Sequence, residues 1–131
     1  MSAVHAITDV TGFGLAGHAL EMARGAGMQV EIEWSKVPLL DGVAAMARDG
    51  FVTGASGRNW SGYGAEVLLD PALPAEARDL LTDPQTSGGL LVSCDASAAA
   101  AVIATFHAQG FVEAAAIGTV RRGPARLRIV A

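Results

Sequence analysis

Apolar positions along the chain recur with two periods, and these divide it into short strands and helices. Val4 to Val10 is rich in β-branched residues and collects Thr8, Asp9 and Thr11 at its C-terminal end, which reads as a strand running into a polar turn. Leu15 to Ala26 places Leu15, Ala19, Met22 and Ala26 on one stripe and closes at Gly25 and Gly27, predicting a helix whose apolar stripe faces a sheet. In Gln29 to Trp34, Val30, Ile32 and Trp34 alternate with Gln29, Glu31 and Glu33, the pattern of a strand with one wet face. After Pro38, Leu40 to Arg48 predicts a short helix ended by Asp49-Gly50.

Gly54 to Gly64 holds four glycines among Arg58, Asn59, Trp60, Ser61 and Tyr63 and reads as a mobile loop whose donors could touch a ligand. Pro71 and Pro74 mark turns after Val67-Leu68-Leu69, and Pro74 to Leu81 fits a helix with proline in its first turn. Leu90 to Cys94 is a buried-strand candidate. Asp95 or Ser97 can cap a helix over Ala98 to Gln109, which Gly110 ends. Phe111 to Val120 and Leu127 to Val130 read as strands joined by Arg121-Arg122-Gly123-Pro124 into a hairpin. The order β-α-β-α, loop, α-β-α-β-β implies an α+β fold, a mixed, partly antiparallel sheet with packed helices.

Composition narrows the function classes. The 131 residues fit one domain, and with 51% apolar residues and a mean hydropathy of +0.38 some of the apolar surface suits another domain or subunit. The uncharged run Ala96 to Phe106 is too short to span about 30 Å of bilayer, so no membrane partner is expected. A formal net charge of −4 disfavours DNA or RNA. Cys94 is the single cysteine, which excludes an internal disulfide and a multi-cysteine zinc site and favours a reducing compartment. Met1-Ser2-Ala3-Val4-His5 lacks the basic and apolar regions of a signal peptide, so the expected location is cytoplasmic. The polar turn follows Met1 so closely that an excised domain or fragment is expected.

Chemistry concentrates in His5-Ala6-Ile7-Thr8-Asp9-Val10-Thr11-Gly12-Phe13-Gly14-Leu15-Ala16-Gly17-His18. Thr8, Thr11, Gly12 and Gly14 are candidate cofactor-binding residues and Asp9 a candidate metal ligand, because a glycine turn at a helix start admits phosphate. The Gly12 to Gly17 run also matches a dinucleotide fingerprint, with Glu31 and Glu33 about twenty residues on. Asp9 argues against it, since a carboxylate beside phosphate needs a divalent cation between them. Helix capping by Asp9 or Thr11 is an equally open reading.

The second run, Asp83-Pro84-Gln85-Thr86-Ser87-Gly88-Gly89, is most simply a turn before a strand, and Ser87 lacks the flanks of a nucleophile elbow. His5, His18 and His107 lack metal-ligand spacing, and Cys94 reads as an inert buried thiol. Arg126 and Arg128 alternate with Leu127 and Ile129 as the wet face of an edge strand; with Arg121 and Arg122 they could instead grip phosphate.

Together, the runs His5 to His18 and Asp83 to Val92 resemble the C-terminal domain of selenophosphate synthetase (selenide, water dikinase), related to aminoimidazole ribonucleotide synthetase. The resemblance implies that residues 1–131 are the C-terminal domain of a two-domain homodimeric enzyme. That enzyme turns ATP, selenide and water into selenophosphate, AMP and phosphate. By resemblance Asp9 joins carboxylates of the N-terminal domain in holding Mg2+ on ATP. The family's catalytic cysteine or selenocysteine, its lysine and its glycine-rich ATP segments have no counterpart here. No catalytic residue is therefore assigned, Lys36 and Cys94 inherit none, and the chain alone is expected to be inactive. The alternative is a stand-alone nucleotide- or protein-binding module of the same fold.

Overall fold

A computed structural model describes residues 3–131, so the reading of Met1 and Ser2 as a leaderless terminus lies outside the described residues. Strand β1 (Val4–Asp9) runs into helix α1 (Gly14–Ala26), followed by β2 (Gln29–Glu33), α2 (Val43–Arg48) and α3 (Gly54–Tyr63). Then come β3 (Val67–Leu69), α4 (Glu76–Leu81), β4 (Leu90–Cys94), α5 (Ala99–Ala108), β5 (Gly118–Arg121) and β6 (Leu127–Val130).

The strands form two sheets: β1 pairs antiparallel with β4, and the other four lie in the order β3-β6-β2-β5. In the larger sheet β2 is antiparallel to β5 and parallel to β6, which is parallel to β3. The fold is α+β and mixed, as the element order implies. Because β1 pairs antiparallel with β4 and lies in a different sheet from β2, β1-α1-β2 is not a dinucleotide-type βαβ unit.

The core forms where α1 lies on the four-stranded sheet. Ala16, Ala19, Leu20 and Ala23 pack with Val30, Ile32, Val67, Leu127 and Ile129, and Leu81 of α4 closes the end. The buried stripe is thus rotated from the expected Leu15-Ala19-Met22-Ala26, leaving Ala26 exposed and Met22 half-buried. Small alanines fit either face of a helix, and close approach to the sheet selected the face richest in them.

Further expectations need correction. Gly54 to Gly64 is not a loop: α3 occupies Gly54–Tyr63, with the Thr53 hydroxyl accepting from the Ser56 N–H at 3.2 Å as its N-cap. Its packing outweighs the cost of interior glycines, about 1 kcal/mol each. The last two strands are not a hairpin. They flank β2 on opposite sides, and the strand expected over Phe111 to Val120 is only Gly118–Arg121. Strand β6 is consequently interior, with Leu127 and Ile129 fully buried, rather than an edge. Strand β4 contains no fully buried residue, because its small sheet is covered on one side at most. Asp95 and Ser97 cap nothing in α5, whose N-terminal residue Ala98 has no side-chain cap; Asp95 instead pairs with His5 at 2.7 Å.

The interior position of β6 has a measurable consequence. Replacing Ile129 by alanine should lower unfolding stability by about 3 kcal/mol in urea titration, whereas Arg128→Thr on the wet face should change it by less than about 1 kcal/mol.

Candidate functional site

Folding brings the two distinctive runs into backbone contact. Asp9 stands opposite Leu90, the Val10 N–H donates to the Gly89 carbonyl at 2.9 Å, and the Gln85 N–H donates to the Thr11 carbonyl at 3.1 Å. A Cβ on Gly88 would sit 2.0 Å from the Val10 carbonyl oxygen. Gly14 adopts φ +73°, and a Cβ there would meet the Leu81 oxygen and Thr82 carbon at 2.7 Å. Gly12 differs: nothing lies within 4 Å of its missing side chain. Gly14 and Gly88 are glycines of contact between the runs, whereas Gly12 and Gly89 are open to an approaching group.

Helix α3 braces this junction. The Asn59 amide donates to the Gly12 carbonyl at 2.9 Å and to the Thr82 carbonyl at 3.0 Å, tying one run to the start of the other. Tyr63 donates to the Phe13 carbonyl, and a Cβ on Gly17 would lie 3.0 Å from its ring. Burial pushes the Tyr63 phenol up from 10.0 to about 12, against a smaller opposing pull from the Gly17 backbone. Ser56 donates to the Asp79 carbonyl at 3.1 Å and hydrogen-bonds Thr82, whose hydroxyl reaches the Arg78 carbonyl at 2.7 Å. Ser56, Asn59, Trp60 and Tyr63 recur at helical spacing, a signal that the four glycines hide.

Neither Asp9 nor Thr11 caps α1, whose N-cap Phe13 has no side-chain bond. Thr11 serves His18 instead: its N–H donates to Nε2 at 3.1 Å and its hydroxyl lies 2.9 Å from the same atom. A backbone N–H can only donate, so Nε2 carries the lone pair and the ring proton sits on Nδ1. Glu21 Oε2 lies 3.3 Å from Nδ1 but out of line, which leaves this buried nitrogen without a hydrogen bond. The His18 ring thereby locks the turn that carries Asp9.

Asp9 itself is exposed, and its carboxylate enters no ion pair or hydrogen bond among the described residues. The Thr8 hydroxyl donates to the Asp9 carbonyl at 3.2 Å rather than to a neighbouring element. Among the described residues no three His, Cys, Asp or Glu side chains cluster as metal ligands would. Asp83 has its carboxyl raised by partial burial, moderated by the Thr53 hydroxyl. The remaining candidates are committed elsewhere. Arg121 and Arg128 flank Glu31 at 3.4 and 3.9 Å, Glu33 pairs with Lys36, and His107 bonds the Ala114 carbonyl at 2.9 Å. Cys94 is half-buried at the end of β4.

Residues 1–129 match the family of the AIR synthase related protein, C-terminal domain. The chain belongs to this family. It is similar to proteins named selenide, water dikinase: 56% identical to that of Burkholderia pseudomallei, over 96% of this chain and 36% of the relative. Identity is 52% to that of Paraburkholderia xenovorans, over 99% of this chain and 37% of the relative. The chain thus spans just over a third of the length of these relatives. Among solved structures, E. coli HypE, a hydrogenase maturation protein, superposes with TM-score 0.72 at 20% identity, over 100% of this chain and 33% of that one. A thiamine-monophosphate kinase from Stenotrophomonas maltophilia gives 0.59 at 14%, over 97% and 31%. These two likenesses carry the fold of the family.

The glycines separate by mutation. Gly14→Ala should cost about 3 kcal/mol of stability, from the positive φ and the backbone clash, while Gly12→Ala should stay within about 0.5 kcal/mol; urea midpoints read both. Tyr63 is the chain's one tyrosine, so alkaline absorbance titration observes it alone. It should ionise near about 12 in the folded chain, and near the ordinary value of roughly 10 in denaturant. The stability its protonated form contributes is present below the unfolded value and is lost as pH rises through the folded one.

Proposed function

We propose that this chain is the C-terminal third of a selenide, water dikinase, an enzyme forming selenophosphate, AMP and phosphate from ATP, selenide and water, and that Asp9 is one ligand of a Mg2+ ion shared with the rest of the polypeptide. One observation carries the reading: a free, exposed carboxylate stands at the end of β1, before a braced turn that holds a glycine with open space, and has no companion ligand among the described residues. Mg2+ requires about six oxygen ligands, of which proteins commonly supply one or two carboxylates and the nucleotide phosphates several. The residues present therefore fit a partial site. Asp9 would hold the cation, which when bound screens phosphate charge. Thr11 is occupied by His18, and Thr8 by the backbone, so neither hydroxyl is the stronger candidate.

The chain's own contribution is positional. Antiparallel pairing fixes the end of β1, Asn59 and Tyr63 fix the Gly12-Phe13 carbonyls, and His18 fixes Thr11. Asp9 thus meets a ligand without a loop having to order first, which is how preorganised charge assists phosphoryl transfer. The names of the relatives support selenide as the acceptor chemistry; the site on this chain supports only the cation and phosphate end.

In the full-length polypeptide, Asp9→Asn should raise the Mg2+ concentration for half-maximal AMP formation by about ten-fold or more. Unchanged Mg2+ dependence would overturn the assignment. The 131-residue chain should form no AMP and show no saturable Mg2+-ATP binding by calorimetry; clear saturation would favour a stand-alone nucleotide-binding module.

A further inference from the structure

A groove of about 490 Å³ runs between the two sheets with α1 as its floor. One wall is β1, where four consecutive residues, His5 to Thr8, line it, and Ser93, beside Ala6 in the ladder, completes that wall. Successive strand residues point to opposite faces, so a cavity touched by all four follows the strand's edge. Val120 of β5 forms the opposite side. Among the described residues β1 pairs only with β4 and β5 only with β2, so each bordering strand has an unpaired edge.

The floor tells what fits. Met22 and Ala26, beside the buried stripe of α1, lie there with Gly25, which has nothing within 4 Å of its missing side chain. His18 is 6% exposed and lines the groove, and its Nδ1–H, 3.3 Å from Glu21 Oε2, has no aligned acceptor among the described residues. Glu21 and the Asp95 that pairs with His5 make the rim acidic, which disfavours an anion. Unpaired strand edges, an apolar floor and a buried donor suit a polypeptide in extended conformation, which supplies N–H and C=O groups to the edges, apolar side chains to the floor and an acceptor to His18.

We propose that the groove seats an extended, largely apolar segment from the other two thirds of the full-length polypeptide, pairing with β1 and β5 and joining the two sheets into one. The length of the relatives selects this occupant, since the chain spans 36% of one of them and the remaining polypeptide is available in the same molecule. The inference rests on reading the chain as part of a longer enzyme.

The test joins this chain to the Burkholderia pseudomallei relative in place of its matching 126 residues and compares amide hydrogen exchange with that of the 131-residue chain. Joining should slow the unpaired amides of β1 and β5 together by about 100-fold, with no comparable change along the outer edge of β3. Ala26→Arg should cut that protection by about ten-fold in the joined protein while leaving the unfolding midpoint of the 131-residue chain unchanged, because Ala26 is exposed there. Ala104→Arg, exposed on α5, should leave both the protection and the midpoint unchanged. Exchange at β1 and β5 that is equal in both proteins overturns the proposal, and so does protection of these edges in the 131-residue chain alone with the mass of a dimer, which would make a second copy the occupant. Mg2+ dependence of the joined Asp9→Asn protein is read separately, so failure of the metal assignment is distinguishable from failure of this one.

Discussion

The structure depends on how closely the turn after β1 approaches the segment between α4 and β4. At Gly88 the backbones are so near that a side chain would overlap the Val10 carbonyl, and at Gly14 one would overlap Leu81 and Thr82. Everything that positions Asp9 follows from this contact. It pins the N-terminus of α1, and the helix then buries Ala16, Ala19 and Ala23 against the sheet. It also brings Thr82 within reach of Asn59, so that α3 can grip both runs at once. A polar turn at a strand end would ordinarily be mobile. Here it is held by backbone hydrogen bonds, by a side-chain amide on Gly12 and by a histidine on Thr11.

Sequence periodicity captured the elements whose burial is one-sided. Strand β2 alternates as expected, and the Leu127-Arg128-Ile129 alternation correctly separates core from solvent. What periodicity could not reveal is the neighbour of each strand. Alternation is the same for an edge strand and for an interior strand with one wet face, so β6 read as an edge although it lies between β3 and β2. Helix α3 was hidden for a different reason. Its residues have poor intrinsic helix propensity, and it exists because Thr53 caps it and Ser56, Asn59 and Tyr63 find partners far away in the chain. Local composition carries no record of such partners.

The glycine pattern shows the same limit at the site. Gly12, Gly14 and Gly17 look alike in the sequence as markers of a phosphate loop, yet their physical reasons differ. Gly14 answers to backbone overlap and a left-handed φ and Gly17 to the Phe13 Cβ and the Tyr63 ring, whereas a side chain at Gly12 would meet nothing within 4 Å among the described residues. Only the last is free to face a ligand. Charge sorts in a similar way. Glu31 resembled the acidic residue of a dinucleotide site but lies between Arg121 and Arg128, so its carboxylate faces protein cations. Asp9 is the carboxylate of the site that stays uncommitted.

The apolar excess of the composition now has a location. A two-stranded sheet is marginal by itself, and here it stands apart from the larger sheet with Ile7 60% exposed and Leu90 56% exposed. On the other side of the gap Val120 is also more than a third exposed. Beneath it lie Met22 and Ala26 of α1, beside the stripe that the helix buries against the larger sheet. Ile7, Val120, Met22 and Ala26 line one groove rather than scattering over the surface, because the same helix floor links β1 with Val120. Since β1 ends at Asp9, whatever pairs with β1 would stiffen the strand that carries the candidate cation ligand. Completion of the sheet and completion of the site are thereby coupled through a single strand.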